Sequence, residues 1–201
     1  MAREQLFMLM KRMPIKPVVK SGLRKLTRRL SLILLLGVLF FLYLGVQGEA
    51  FAASGAIAQL ASTGGGDLSG TVTFIPTADG LQVKAEVTSA PPGLHGFHIH
   101  ETASCANGGK GAGGHFNPDG VKHGRLATDG FDKAHAGDMG NLFVDFDGVG
   151  LYEQEFPGLS LEDGQHAIAS RAVILHAKMD SYVQPTGAAG GRIGCGVIAL
   201  Q

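Results

Sequence analysis

The sequence has little charge, almost no cysteine and, beyond its first 52 residues, no sustained helical periodicity. Only 17% of the 201 residues are charged, and Lys plus Arg balance Asp plus Glu at 17 each. There are two cysteines, and neither lies directly after the apolar run near the N-terminus, which argues against a lipid-anchored export form. Because no long segment after residue 52 repeats its apolar residues every 3.6 positions, a predominantly helical domain is excluded.

The N-terminus is basic and is followed by an uncharged apolar run. The first 29 residues contain nine Lys and Arg against one Glu, and the apolar run covers residues 30–46. Residues 1–52 are therefore predicted to be a leader that acts as an export signal or a membrane anchor, and 17 apolar residues do not decide between them. The small-residue pattern Ala50-Phe51-Ala52 favours cleavage after Ala52. If the leader is retained, its basic flank stays inside and the domain faces out.

Without the leader the chain is acidic. Residues 53–201 contain eight Lys and Arg against fifteen Asp and Glu, a formal charge of −7. This balance excludes a basic nucleic-acid-binding domain, and the basic N-terminal stretch is better explained by membrane topology. Export also implies an oxidising compartment in which a disulfide can persist. Otherwise the two cysteines would be buried free thiols of a cytosolic protein.

The rest of the chain has the periodicity of β-strands. Four apolar residues in the segment 80–87 alternate with polar ones, and three do so after residue 141: Leu81, Val83, Ala85, Val87, and then Leu142, Val144, Phe146. Asp79-Gly80 and Asp147-Gly148 are predicted turns whose glycine accepts a positive φ. The predicted fold is all-β, a sandwich or flattened barrel of about eight antiparallel strands.

We expect one folded domain over residues 67–201, preceded by a flexible lead-in over residues 53–66 with its Ser-Thr-Gly-Gly-Gly run. The segment 101–138 contains nine glycines and little strand signal. Such a long irregular segment in a compact domain is usually functional.

Histidines cluster around a His-x-His pair. Residues 93–124 contain five of the eight histidines. Successive strand residues point to opposite faces, so His98 and His100 share one face while Phe97 and Ile99 share the other. Taken alone, the pair is equally compatible with histidines that cap glycine-rich loops. The additional histidines favour a metal site.

From about residue 67 to the C-terminus, six blocks in order resemble the copper/zinc superoxide dismutases: GLHGFHIH, GGHFNP, KHG, HAGDMGN, ILHAKMD and GGRIGCGVI. The resemblance implies a Greek-key β-sandwich with a long metal-binding loop and a short electrostatic loop. It also implies an enzyme that converts two superoxide anions to dioxygen and hydrogen peroxide.

Two ligand sets follow from the resemblance. The copper ion would be held by His98, His100, His115 and His176, and the zinc ion by His115, His123, His135 and Asp138. His115 would be shared by both metals and would couple electron transfer to proton transfer. Ligand chemistry alone agrees, because an all-imidazole set suits a copper that changes oxidation state and three imidazoles with a carboxylate suit zinc.

The resemblance also assigns the supporting residues. Asp180 would link a copper ligand to a zinc ligand, Cys105 and Cys195 would form a disulfide, and Arg192 would be the cation beside copper. His95 would brace the backbone without binding metal. For His166 we expect no metal role and a partly exposed position in the sheet.

The segment between His176 and Arg192 has only 15 residues, with less charge than in typical eukaryotic members. Lys178 and Lys110 are therefore candidates to assist Arg192 in attracting superoxide. The short segment resembles that of bacterial members, which together with the leader implies a protein of the bacterial periplasm or cell envelope. The resemblance also implies a homodimer.

The alternatives are a non-catalytic metal-binding or copper-delivery domain built on the same fold, a copper-only relative without zinc, and a purely structural or adhesive sandwich. A copper-delivery domain would be expected to lack a copper ligand, Asp180 or Arg192, and none of these is missing. A copper-only relative would not need His123, His135 and Asp138.

Overall fold

Eight antiparallel strands close into a β-barrel in the computed structural model, which describes residues 55–201. The strands are β1 (Ala56–Ser62), β2 (Ser69–Pro76), β3 (Gly80–Thr88), β4 (Gly93–His100), β5 (Asp138–Val144), β6 (Gly150–Pro157), β7 (Ala172–His176) and β8 (Arg192–Leu200). Their order around the barrel is β1-β2-β3-β6-β5-β4-β7-β8, and β8 pairs with β1. The strand that follows β3 in the chain, β4, is not its neighbour in the barrel, because β6 and β5 lie between them. This crossover is typical of Greek-key folds. The predicted all-β fold is confirmed.

Helical structure in the described part of the chain is confined to two short pieces. A 3₁₀ turn covers Lys110–Ala112, and one helical turn, α1, covers Leu126–Asp129. None of the helices in residues 55–201 has the length and apolar content needed to cross a bilayer. The predicted leader, residues 1–52, with its apolar run at residues 30–46, lies outside the described residues.

The predicted alternation in β3 is confirmed. Its apolar positions are at most 5% exposed and point into the barrel, whereas its polar positions face outward. The second alternation ends earlier than predicted, because β5 stops at Val144 and Phe146 lies in the following turn, 96% exposed. Because Phe146 lies beyond the end of the strand, its side chain does not point into the barrel core although it continues the apolar alternation.

The two predicted turn glycines differ in their reason for being glycine. Gly148 adopts a φ of 80°, as predicted. Gly80 does not adopt a positive φ, and the prediction is wrong at this position. Gly80 instead begins β3 so close to β6 that a Cβ would collide with the carbonyl oxygen of Phe156. A glycine is needed there for close approach of two backbones.

The prediction of a flexible lead-in over residues 53–66 is wrong for Ala56–Ser62, which form β1. This strand pairs with β2 on one side and with β8 on the other. Ala56, Ala58 and Leu60 are buried in the barrel core. β1 therefore fills the gap between β2 and β8, and without it the barrel would have two unpaired edges.

Two connections cover the outside of the barrel wall at β4. The long loop, residues 101–137, joins β4 to β5, and the short loop, residues 177–191, joins β7 to β8. β4 lies between β5 and β7 in the sheet, so both loops start beside it. From His95 to His100 every residue of β4 is buried, because one face lines the core and the other lies under these loops.

Candidate metal centre

Four histidines from three parts of the chain meet outside the barrel wall. The outer face of β4 supplies two of them, the long loop one and the end of β7 one: His98, His100, His115 and His176. Each contributes a ring nitrogen, these nitrogens all lie within 4.8 Å of one another, and all four residues are buried. We call this group the four-histidine cluster. The inward neighbours Phe97 and Ile99 are fully buried in the core, as the alternation predicted.

Three of these rings are held from outside by an oxygen atom. The acceptors are Asp180 Oδ2 at 2.8 Å from His98 Nε2, the Gly113 carbonyl at 3.0 Å from His100 Nδ1, and the Gly190 carbonyl at 3.3 Å from His176 Nδ1. An imidazole that donates through one nitrogen presents a lone pair at the other. His98 Nδ1 is buried and has no hydrogen-bond partner. The other ring nitrogens, which face one another within the four-histidine cluster, are thus placed to bind a common ion.

A second group, the mixed cluster, combines three histidines with a carboxylate. His115, His123, His135 and Asp138 bring one ligand atom each within 4.8 Å of one another. Asp138 Oδ1 lies 2.8 Å from His115 Nδ1 and 3.1 Å from His135 Nδ1. His123 Nδ1 lies 2.8 Å from Asp138 Oδ2 but off the direction of a hydrogen bond, so this buried nitrogen has no partner. An ion bound among these four residues would give this nitrogen a partner.

His115 belongs to both clusters. Its Nδ1 faces Asp138, and its ring centroid is 4.2 Å from that of His98 on the other side. Backbone bonds hold this arrangement, since Phe116 N–H donates to the Ile99 carbonyl and Gly137 N–H donates to the Phe116 carbonyl, both at 2.9 Å. A side chain at Gly137 would collide with the Ile99 carbonyl. Glycine at this position lets the end of the long loop approach β4.

Asp180 links the two clusters from the side away from the ions. Its carboxylate lies 2.8 Å from His98 Nε2 and 3.0 Å from His123 Nε2, and it is 1% exposed. The side chain of Asn141 holds the Asp180 backbone, accepting from its N–H at 2.7 Å and donating to its carbonyl at 2.9 Å. Asp180 is therefore a fixed acceptor that orients one imidazole of each cluster, as the sequence predicted.

Burial keeps three of the six clustered histidines neutral at pH 7. Burial is the main cause that lowers the pKa of His100 to about 2, of His115 to about 4 and of His176 to about 3. Burial alone would raise the pKa of Asp138 and Asp180, but hydrogen bonds with histidines outweigh it and hold the pKa of both carboxyls well below the usual range. Neutral imidazoles and ionised carboxylates are the forms that bind metal ions.

His123 is the exception, and zinc binding is expected to release its proton. Burial opposes a charge there, but the carboxylates of Asp138 and Asp180 outweigh it and raise the pKa of His123 to about 9. Below that pH the metal-free protein carries a proton that the ion must displace, so zinc affinity should fall about tenfold per pH unit as the pH drops from 9. Calorimetry at pH 7 in buffers of different ionisation enthalpy should give about one proton released per zinc ion. Buffer-independent binding heats would contradict this.

Arg192 begins β8 opposite the last residue of β7, His176. Its guanidinium donates to the carbonyl oxygens of Gly109 and Gly113 in the long loop. Its positive charge lies close enough to His100 and His176 to contribute to their lowered pKa values. Arg192 is thus a fixed cation beside the four-histidine cluster. Lys178 and Lys110 are both exposed.

The predicted disulfide joins Cys105 in the long loop to Cys195 in β8, with a Cα–Cα distance of 5.7 Å. It closes a loop between residues 90 apart in the sequence. Among residues 55–201 there is no free cysteine. The bond anchors the part of the long loop that carries the carbonyl partners of Arg192.

The remaining two histidines lie outside both clusters. His95 Nδ1 lies 2.7 Å from the carbonyl oxygen of His176, and His95 Nε2 lies 2.7 Å from that of Pro91. His95 therefore braces the backbone behind a cluster member, as predicted. His166 is partly exposed, as predicted, but it lies in the loop between β6 and β7 and not in the sheet. There it pairs with Asp119 at 2.8 Å and stacks on Phe131.

Two supporting residues were missed by the sequence reasoning. Asn141 holds Asp180, and its only signal was its place at the end of the HAGDMGN block. Gln184 bonds to the backbone of His123 at 3.1 Å and 2.8 Å. No motif singles out Gln184, because the bond joins two loops that are 61 residues apart in the sequence.

The two clusters fit two kinds of ion. Four imidazoles suit a copper ion that changes oxidation state, and three imidazoles with one carboxylate are a common tetrahedral set for zinc. The unpartnered buried nitrogens of His98 and His123, one in each cluster, are satisfied when an ion is bound. Each cluster therefore has the composition and the free donor atoms that such an ion needs.

Known proteins share both the domain and the fold. A family model described as "Copper/zinc superoxide dismutase (SODC)" matches residues 68–198. The protein named "Superoxide dismutase [Cu-Zn] 2" of Mesembryanthemum crystallinum is 40% identical over 147 residues, which cover 69% of this chain and 91% of the relative. The protein of the same name from Brassica juncea is 39% identical over 140 residues, or 66% and 90% of the two chains. The crystal structure of the clock protein EA4 matches with 35% identity and a TM-score of 0.67, covering 78% of this chain and 100% of that one.

Proposed function

Because this chain belongs to the copper/zinc superoxide dismutase family, we propose that the four-histidine cluster holds its copper ion and the mixed cluster its zinc ion. The protein is a superoxide dismutase with copper and zinc as cofactors. The observation that carries the residue assignment is the shared position of His115, which has Asp138 at Nδ1 and the four-histidine cluster on its other side.

His115 is the proposed proton carrier. Bound copper supplies one-electron redox chemistry, and zinc supplies a fixed positive charge. Because Nδ1 of His115 faces the mixed cluster, Nε2 is the nitrogen that takes up and returns a proton beside the reacting anion. Burial is the main cause that lowers the pKa of His115 to about 4, so in the metal-free protein its ring is neutral at pH 7 and can offer a lone pair to an ion.

The dismutase activity is tested by superoxide decay after pulse radiolysis, using the chain loaded with copper and zinc. We expect fast decay that depends on copper. If the fully loaded, disulfide-bonded protein accelerates decay no more than buffer does, the centre stores or delivers metal without catalysis.

Arg192 is proposed to attract superoxide to the copper side of the centre. A small anion that approaches a domain of formal charge −7 needs a local positive field, and charges in clefts change association rates by roughly 10- to 1,000-fold. We expect Arg192→Ala to lower the bimolecular rate about tenfold or more and to reduce its salt dependence, with metal content unchanged.

The matched control for Arg192 is Lys84→Ala. Lys84 carries the same charge on β3, where it pairs with Glu153 at 3.3 Å, away from both clusters. Its removal changes the net charge equally but leaves the field at the centre nearly intact, so the rate should change little. Equal effects of the two substitutions would reject a local role for Arg192.

We propose that the enzyme is exported and acts in a bacterial periplasm or cell envelope. The basic segment followed by the apolar run 30–46, the pattern ending at Ala52, the disulfide and the short loop all support this. Mass spectrometry of the protein from fractionated cells decides between a cleaved and a retained leader. A start at Ala53 indicates cleavage, the intact chain in the membrane fraction indicates an anchor, and the intact chain in the cytosol would contradict export.

We also propose a homodimer, as is common in the family. Three apolar side chains support a contact on the outer face of the barrel: Leu94, Phe143 and Leu151 are cross-strand neighbours on β4, β5 and β6, and all are exposed. A contiguous apolar patch of this kind favours association. Analytical ultracentrifugation should show a dimer that Phe143→Lys dissociates, whereas a monomeric unsubstituted protein would overturn the proposal.

A further inference from the structure

The side-chain amide of Gln184 makes two hydrogen bonds to the backbone of one mixed-cluster residue. The N–H of His123 donates to Gln184 Oε1 at 3.1 Å, and Gln184 Nε2 donates to the His123 carbonyl at 2.8 Å. Within residues 55–201 these are the only hydrogen bonds made by the His123 backbone. A pair of bonds from one planar amide fixes both the position and the orientation of the residue it holds.

The short loop also holds the imidazole of His123. Asp180 Oδ1 lies 3.0 Å from His123 Nε2, and the ring of Tyr182 stacks on the imidazole with centroids 6.3 Å apart. Asp180 and Tyr182 orient the ring, whereas Gln184 fixes the backbone from which the ring extends. Three side chains of the short loop thus hold His123 with Nδ1, the nitrogen without a hydrogen-bond partner, facing the mixed cluster.

We propose that Gln184 is a positioning residue for the zinc ion. Its amide holds His123 so that Nδ1 faces the other three ligand atoms, and it thereby couples zinc binding to the order of the short loop. The inference rests on the proposed assignment of zinc to the mixed cluster. Partners that orient a metal ligand typically change metal affinity 10- to 100-fold, and for two neutral hydrogen bonds we expect the lower end, about tenfold.

The coupling works in both directions. If an ordered short loop favours zinc binding, then bound zinc must favour the ordered loop by the same factor. Zinc should therefore slow hydrogen exchange at residues 181–190 in the unsubstituted protein. Without the amide at position 184, this slowing should become smaller.

Two substitutions test the amide. Gln184→Met keeps a long unbranched side chain but removes both bonds, whereas Gln184→Glu keeps the acceptor and places an oxygen against the His123 carbonyl. The control is Gln154→Met, at a partly exposed glutamine on β6 whose amide bonds only to the neighbouring Glu155 carbonyl. The measurements are Zn²⁺ affinity by chelator competition, the visible absorption bands of Co²⁺ bound in place of zinc, and hydrogen exchange of the short loop.

We expect about tenfold weaker Zn²⁺ binding for Gln184→Met, at least as large a loss for Gln184→Glu, and no change for Gln154→Met. The Co²⁺ bands at saturation should change in intensity for both position-184 variants, because ligand geometry changes. A role in overall stability alone would leave those bands unchanged. The proposal would be overturned if either position-184 variant folds and has the same Zn²⁺ affinity and the same Co²⁺ absorption bands as the unsubstituted protein.

A parallel variant separates this proposal from the zinc assignment. His135→Ala removes a proposed ligand and should weaken Zn²⁺ binding far more than Gln184→Met. If His135→Ala has no effect on Zn²⁺ affinity, the assignment of zinc to the mixed cluster fails. If only His135→Ala has an effect, the assignment stands and the role of Gln184 is wrong.

Discussion

Replacing His115 with alanine should lower the dismutation rate by about 100-fold or more. A positioned proton carrier contributes roughly 10²- to 10⁴-fold to a rate, and His115 is the only residue of the described chain that belongs to both clusters. The variant loses one ligand atom from each cluster as well as the proton carrier. Pulse radiolysis of the copper-loaded variant, with both metals measured by mass spectrometry, gives the rate per bound copper.

His166→Ala is the matched control for His115→Ala. His166 lies outside both clusters and bonds to Asp119, so its removal deletes an imidazole without touching a proposed ligand. The control should retain nearly the full rate. If His115→Ala with both metals bound catalyses superoxide dismutation at the same rate as His166→Ala, His115 is not the proton carrier.

Replacing Asp138 with asparagine should weaken zinc binding by at least about 100-fold. Loss of a residue that merely orients a ligand already costs 10- to 100-fold in affinity, and Asp138 is the one carboxylate of the mixed cluster. Its oxygens also accept hydrogen bonds from the backbone N–H groups of Gly124 and His135, each at 2.9 Å. An amide removes the charge and replaces one acceptor by a donor that faces other donors.

Asp119→Asn is the matched control for Asp138→Asn. It makes the same chemical change at a partly exposed carboxylate that bonds to His166 and belongs to neither cluster. Chelator competition should show that Asp119→Asn binds zinc as tightly as the unsubstituted protein does. Copper binding should persist in Asp138→Asn, because the four-histidine cluster contains no carboxylate. Equal zinc affinity in the two variants would remove Asp138 from the ligand set.

The strand pattern was predictable where neighbouring residues alone determine burial. In β3 the strict alternation of apolar and polar residues corresponds to one face in the core and one in water, and the prediction is confirmed. The segment Ala56–Ser62 was missed because small alanines give a weak strand signal and a glycine-rich run follows directly. Its strand structure depends on pairing with β2 and β8, which lie far apart in the sequence from one another. Only closure of the barrel specifies β1.

The supporting contacts of the centre were predictable to different degrees. The pairing of Cys105 with Cys195 and the placement of Asp180 followed from motif resemblance and are found in the structure. The amides of Asn141 and Gln184 escaped notice, because a glutamine or asparagine in a loop has no distinguishing pattern. Their importance comes from the backbone groups they meet, and those groups belong to distant segments.

The sequence by itself determined the chemistry of this protein: the number of imidazoles and carboxylates, the alternation that puts His98 and His100 on one face, and two cysteines with no others to compete for pairing. The tertiary structure decided which of these groups meet. The ligands extend from His98 to His176, and they converge because β4 and β7 are neighbours in a closed barrel although β5 and β6 separate them in the chain. Side-chain periodicity is a local property, whereas convergence requires strand pairing over long sequence distances, so residue types revealed the donors and only the fold brought them together.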